Sequence, residues 1–266
     1  MNSIQLSIEA NEDKQEILIS QLAELGATGF EQTDTTLLAY FNENNFLGEA
    51  VNEVVKNYTI IVATIEERNW NEIWESNFQP VVVADFCAIR AEFHEPIINV
   101  EHEIIITPKM SFGTGHHATT FMMIEQMRNL DFINKVVFDF GTGTGILAIL
   151  AEKLGAGRIK AIDVDEWSVI NAEENIQRNG CNRITLEQTT QLPTEMFDII
   201  LANINKNVII EYLPILLPIV KPEGQILFSG LLKDDEADIT EASINLGLKC
   251  IAKKQKENWI SLLFVN

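Results

Sequence analysis

The stretch Val136 to Leu150, VVFDFGTGTGILAIL, constrains this chain more than any other: a short apolar run passes through Asp139, Gly141, Gly143 and Gly145 directly into a helical pattern. Glycines at alternate positions remove side chains where a backbone turns sharply and let a flat ligand lie against it, while the new helix offers unpaired N–H groups. A nucleotide-like ligand is the first expectation. The dinucleotide fingerprint G-x-G-x-x-G would put its third glycine at position 146, which is Ile146, so the pattern here is D-x-G-x-G-x-G.

A second signal follows. Arg158 to Val164, RIKAIDV, reads as the next strand, ending at Asp163, and Glu166 to Asn179 has a helical pattern. A carboxylate at that strand end accepts both hydroxyls of a ribose, and such charge-assisted bonds contribute about 1.5–3 kcal/mol each. The competing structural account is an empty strand-to-helix turn with Asp163 merely capping the next helix. Both features in this order favour the ligand. The glycine pattern resembles the first motif of S-adenosylmethionine (AdoMet) dependent methyltransferases, where the loop wraps the methionine end of the cofactor.

The 266 residues suffice for one large domain, or for a domain of about 200 residues plus a small companion. No apolar run is long enough for a membrane helix. The amino terminus, MNSIQLSIEANEDKQ, lacks the basic start and apolar stretch of a secretory signal. Cys87, Cys181 and Cys250 are isolated, without CxxC spacing, so the expectation is a reducing cytoplasm with neither disulfides nor a zinc site. Nineteen basic against 39 acidic residues leave a net charge of −20. That field repels phosphate backbones and disfavours a nucleic-acid substrate. It would draw in a basic protein or a cationic small molecule, although a solvated acidic surface also serves solubility.

Residues 1–66 read as a separate unit. Ile4, Leu6 and Ile8 alternate as in a half-buried strand, and Ile17, Leu18, Leu22 and Leu25 follow at helical spacing before Gly26. Strand-like Ala27 to Gln32 and Thr36 to Phe41, helical Phe46 to Lys56 and strand-like Tyr58 to Thr64 complete a βαββαβ order, which suggests a ferredoxin-like domain. Over residues 1–65 two lysines, Lys14 and Lys56, face ten acids, net −8. With no glycine-rich loop, nucleophile-base pair or ligand cluster, this unit is expected to recognise a substrate. Residues 67–80 look like a connector helix, with Trp70, Trp74 and Phe78 on one face as packing and Pro80 at its end. Residues 81–266 are then the catalytic domain.

That domain begins with the strands Val81 to Val83, Phe86 to Ala91 and Glu103 to Ile106. Thr107 to Thr120 follows as TPKMSFGTGHHATT, with a helix over Phe121 to Leu130. Gly113 and Gly115 flank Thr114 in a loop able to fold closely over a ligand. For His116 and His117, metal binding is disfavoured because adjacent side chains point apart; a general base, loop hydrogen bonding or a structural role stay open. Beyond Asn179, strands at Arg183 to Gln188, Phe197 to Ala202 and Gln225 to Ser229 alternate with helices at Val208 to Val220 and Asp234 to Leu246. Leu248 to Lys253 and Asn258 to Phe264 form a closing hairpin. The expectation is a doubly wound α/β sheet with one antiparallel strand, ligands lying at the carboxyl ends where Asp139, Asp163 and Asn203 fall.

The combination of F-G-T-G-x-H-x-T-T at Phe112 to Thr120, D-F-G-x-G-x-G-I-L at Asp139 to Leu147, I-D-x-D at Ile162 to Asp165 and A-N-I at Ala202 to Ile204 resembles the PrmA family of ribosomal protein methyltransferases. Trp70, Trp74, Phe78, Pro80 and the late Trp259 are similar too. The glycine motif is generic to class I methyltransferases and the Phe112 to Thr120 loop is the specific part; Ala118 departs from it, standing where proline is frequent. The resemblance implies a class I AdoMet-dependent fold: a Rossmann-like doubly wound sheet with a C-terminal antiparallel hairpin, preceded by a small ferredoxin-like domain. It implies methyl transfer from AdoMet to lysine side chains and the terminal amino group of large-subunit ribosomal protein eleven; a cytoplasmic monomer that binds neither specific nucleic acid sequences nor membranes is the accompanying expectation. By motif matching, Thr120, Gly141, Asp163 and Asn203 contact the cofactor, with Asp139, Gly143, Gly145 and Thr114 beside them.

Attack on a methyl group requires a neutral amine. Lysine starts near pKa 10.4, so freeing it at neutral pH costs about 4 kcal/mol, and a strongly acidic protein shifts it the wrong way. An apolar channel counters that field, so Phe112 and Trp259 are expected at the entry unless they are core aromatics, with Asn203 accepting a hydrogen bond from the amine. Three alternatives stay open. A glutamine or nucleic-acid-base methyltransferase would carry N-P-P-[YF] where this chain has Asn203, Ile204, Asn205 and Lys206. A small-amine methyltransferase leaves the first unit without a purpose, and a non-catalytic AdoMet-binding module is the third.

Overall fold

Alternating apolar residues in the first strands set the architecture of the amino-terminal unit. The computed structural model describes residues 3–65, 78–107 and 117–266, and the chain forms two compact units, Met1–Ile73 and Trp74–Asn266. The first unit runs β1 (Ser3–Glu9), α1 (Glu12–Glu24), β2 (Ala27–Gln32), β3 (Thr36–Asn42), α2 (Gly48–Val55) and β4 (Ile60–Ile65). Its strands form an antiparallel sheet ordered β2-β3-β1-β4. Period-two burial puts Leu6, Ile8, Leu37, Ala39 and Phe41 on one face, covered by Leu18 and Leu22 of α1 and by Val51 and Val55 of α2. Gln15 is fully buried yet satisfied, donating to Ala10 O at 2.7 Å and Thr33 O at 2.8 Å.

The second unit opens with a small sheet of its own, β5 (Val81–Val83), β6 (Cys87–Ala91) and β7 (His102–Ile106), which the strand pattern alone did not separate from the main one. A buried Arg90 holds it through a bidentate pair with Glu103, at 2.8 and 3.0 Å. Then come α3 (Ala118–Met127), β8 (Val136–Phe140), α4 (Ile146–Lys153), β9 (Arg158–Asp163), α5 (Glu166–Arg178), β10 (Ile184–Gln188), β11 (Phe197–Asn203), α6 (Lys206–Leu216), β12 (Val220–Leu232), α7 (Glu236–Asn245), β13 (Lys249–Lys256) and β14 (Trp259–Val265).

Seven of these strands form the sheet β10-β9-β8-β11-β12-β14-β13, parallel from β10 to β12, with β14 antiparallel to both of its neighbours. Both faces are covered. Val137, Ile199, Leu201 and Leu227 point into one core, whereas Phe138, Phe140, Ile200, Ala202 and Phe228 point into the other. The strand order reverses between β8 and β11, the crevice where ligands of open parallel sheets lie.

Two boundaries differ from the sequence pattern for local reasons. Helix α6 starts at Lys206 because Asn205 caps it, its side chain accepting the Val208 N–H at 3.1 Å. Strand β12 starts at Val220, since Val220 pairs with Phe197 and Gln225 with Ile199, leaving Lys221 to Gly224 as a bulge tied to Asn266.

Candidate active site

Strand β8 is buried from Val137 onward, and its chain must leave the sheet and start α4 within a few residues. Gly141, Gly143 and Gly145 all have positive φ, at +74°, +55° and +80°, a conformation that costs any residue with a Cβ. Space is short as well: a Cβ on Gly141 would lie 2.5 Å from Ile204 Cγ2, and one on Gly145 would lie 3.3 Å from the Ala172 Cβ. Gly141 and Thr142 both donate their N–H groups to Ile162 O, at 3.0 and 2.9 Å, which pins the loop to the end of β9.

Asp163 stands at that end, half-buried. Its Oδ2 accepts the Gly143 N–H at 2.8 Å and its Oδ1 accepts the Asp165 N–H at 3.0 Å. Each oxygen keeps acceptor capacity beyond those bonds, as a carboxylate binding two vicinal hydroxyls must. Asp139 lies deeper, at 0% exposure. Thr142 Oγ1 donates to its Oδ2 at 2.6 Å, while Oδ1 has no partner among the described residues. Burial pushes this carboxyl up to about 7, against the lowering effect of Thr142 and the Ala148 backbone; the nearby Asp163 adds to the rise.

Across the switch point, β11 ends at Asn203, whose Nδ2 donates to Thr120 Oγ1 of α3 at 3.2 Å. The Asn203 Oδ1 is buried and has no partner among the described residues. Buried carbonyls are normally paired, so this one is an acceptor available to a ligand donor. The next residue, Ile204, donates its N–H to Ser229 O at 3.1 Å and packs over Gly230, where a Cβ would meet the Ile204 O at 2.3 Å. His117 caps α3, its Nδ1 within 2.7 Å of Thr119 Oγ1, and its ring stands edge-on to Trp259 with centroids 4.5 Å apart. This cap is the structural role among those left open for His117.

The structure thus brings Asp139, Gly141, Gly143, Gly145, Asp163, Asn203 and Thr120 to the carboxyl ends of β8, β9 and β11, while Trp259 sits beside the helix bearing Thr120. Phe112, Thr114 and His116 lie outside the described residues, as do Trp70 and Trp74 of the expected connector. Phe78 is buried and stacks on His94 at 6.0 Å. One group escaped the sequence reading. Asn175 of α5 donates to Thr144 O at 2.9 Å and accepts the Thr107 N–H at 2.8 Å. Its signal was the four-residue spacing of Asn171, Asn175 and Asn179, which puts three amides on one helix face.

The model of the ribosomal protein L11 methyltransferase (PrmA) family matches residues 2–266. The chain belongs to the PrmA family. Relatives named ribosomal protein L11 methyltransferase include one from Phocaeicola vulgatus, 38% identical over 96% of this chain and 95% of its own. Another, from Chlorobaculum tepidum, is 36% identical over 98% and 96%. A crystal structure of a ribosomal protein L11 methylase from Lactobacillus delbrueckii subsp. bulgaricus is 30% identical and superposes with a TM-score of 0.65, covering 70% of this chain and 97% of that one. The seven-stranded sheet of this PrmA family member is that of a class I AdoMet-dependent methyltransferase, and AdoMet is its methyl donor. The residues fit that cofactor: the glycine loop leaves room for a backbone-hugging ligand, Asp163 offers acceptors, and the unpaired Asn203 oxygen awaits a donor.

Proposed function

We propose that this chain methylates amino groups of ribosomal protein L11, on lysine side chains and at the amino terminus, with AdoMet lying across the tips of β8, β9 and β11. The observation that carries this reading is the meeting of the positive-φ glycine loop, Asp163 and the Asn203–Thr120 pair at the point where the strand order reverses. When bound, AdoMet supplies an electrophilic methyl group on a sulfonium cation. Gly141 to Gly145 receive its amino-acid end, the Asp163 carboxylate holds its ribose hydroxyls, and Thr120 keeps the Asn203 amide in one orientation. Asn203 Oδ1 then accepts a hydrogen bond from the incoming neutral amine and aligns its lone pair, so the protein contributes alignment and desolvation. No carboxylate or histidine has to act as a base once the amine arrives neutral. Trp259 lines an apolar approach that disfavours the ammonium form, the role also expected of Phe112, which lies outside the described residues.

The first unit has the role of gripping the substrate; the ten acids against two lysines over residues 1–65 suit a basic protein. Among the described residues no helix is long and apolar enough to cross a membrane, and a monomer working in the cytoplasm completes the reading. The test is incubation with labelled AdoMet and purified ribosomal proteins. Label on L11 alone supports the proposal. Label on another basic protein or on a small amine moves the substrate assignment, and binding without transfer removes the enzyme.

A further inference from the structure

Asn175 is fully buried and sits between two segments that sequence places 37 positions apart, Thr107 and Thr144. Its Nδ2 donates to Thr144 O at 2.9 Å, and its Oδ1 accepts the Thr107 N–H at 2.8 Å. A carboxamide presents a donor and an acceptor from one planar neutral head; aspartate offers acceptors only and leucine neither. The Thr144 carbonyl lies between Gly143 and Gly145, both at positive φ, so the orientation of its peptide helps to set where the loop N–H groups point. Arg178, one turn on, donates its Nε to Thr107 Oγ1 at 2.8 Å and holds the same residue from the other side. Asn179 makes a contrasting clamp: it accepts the Ile105 N–H at 3.0 Å and donates to Ile105 O at 2.7 Å, with no bond to the glycine loop.

We propose that Asn175 is a positioning residue for the cofactor site, locking the Thr144 peptide against the Thr107 backbone so that the glycine loop is already in its binding conformation before AdoMet arrives. Nothing in the family motifs quoted above assigns it. The inference rests on the reading that the Gly141 to Gly145 loop holds AdoMet. Preorganisation of this kind acts on cofactor affinity, because a loop that must be ordered on binding loses that free energy from the complex.

The experiment compares full-length parent, Asn175→Ala, Asn175→Asp and Asn179→Ala. Calorimetry with AdoMet gives Kd, melting curves give stability, and steady-state assays give separate KM values for AdoMet and for L11. Both Asn175 variants should raise Kd and KM for AdoMet by about 10- to 100-fold, the effect of an unsatisfied buried polar group, with KM for L11 within about twofold. Asn179→Ala should melt earlier yet keep the parent Kd within about twofold, because its side-chain bonds, to Ile105 and to the Asn175 carbonyl at 2.8 Å, reach no atom of the glycine loop. Asn175→Asp retains the acceptor for Thr107 and carries the test where Asn175→Ala fails to fold. Folded Asn175 variants that bind AdoMet like the parent would overturn the proposal, as would an equal loss of affinity in Asn179→Ala. Parent protein that binds no AdoMet overturns the cofactor reading itself, so the two failures are distinguishable.

Discussion

Asp163 accepts the Gly143 N–H at 2.8 Å, so the residue that ends β9 also holds the loop launched by β8. One carboxylate therefore shapes the glycine loop and, in the proposed function, would hold the sugar. Asp163→Ala removes both functions and should weaken AdoMet binding by about 100-fold or more, given about 1.5–3 kcal/mol for each charge-assisted bond. The side chain is half-buried, so the fold survives and calorimetry reads the loss directly.

Asn203 is held by Thr120 and presents an unpaired oxygen. Asn203→Ala should slow single-turnover methyl transfer by about 10- to 100-fold while circular dichroism stays that of the parent. A single-turnover rate equal to the parent's would take Asn203 out of the chemistry.

Asp139 gives stability a pH dependence of known sign. Its folded carboxyl is held up at about 7, whereas an unfolded one titrates near 3.9. Between those values the folded state binds more protons than the unfolded state, so this group's contribution falls as pH rises from about 4 through about 7. Asp139→Asn mimics the protonated form and removes that slope. Urea titrations from pH 5 to 8 should show the variant gaining on the parent as pH climbs; a constant difference would mean that Asp139 does not titrate there.

Gly230 combines a φ of +83° with a Cβ position 2.3 Å from Ile204 O, a backbone atom that cannot step aside. Gly230→Ala should destabilise the protein by about 3 kcal/mol or more and displace the end of β11 that carries Asn203. Gly180 also has positive φ, at +65°, with nothing within 4 Å of its Cβ position, so Gly180→Ala should cost only the conformational strain, about 1–2 kcal/mol. Denaturant midpoints of the two variants separate steric contact from backbone strain.

What could be read from the chain alone was local. Asp139 and the three glycines lie within seven positions, and their spacing already specified a strand, a sharp turn and a helix, because backbone conformation follows from the residues that adopt it. The alternation of strands and helices after Phe140, and the hairpin at the end, followed from periodicity in the same way. Tertiary structure decided which distant residues meet. Thr120 and Asn203 are 83 positions apart, and Asn175 touches both Thr107 and Thr144 only because α5 packs between them. The hairpin pattern did not say that β14 would slide between β12 and β13, nor that β5 to β7 would leave the main sheet. Those outcomes depend on burying two faces of one sheet at once and on pairing the enclosed backbone amides, conditions set by the whole packed unit rather than by any segment of it.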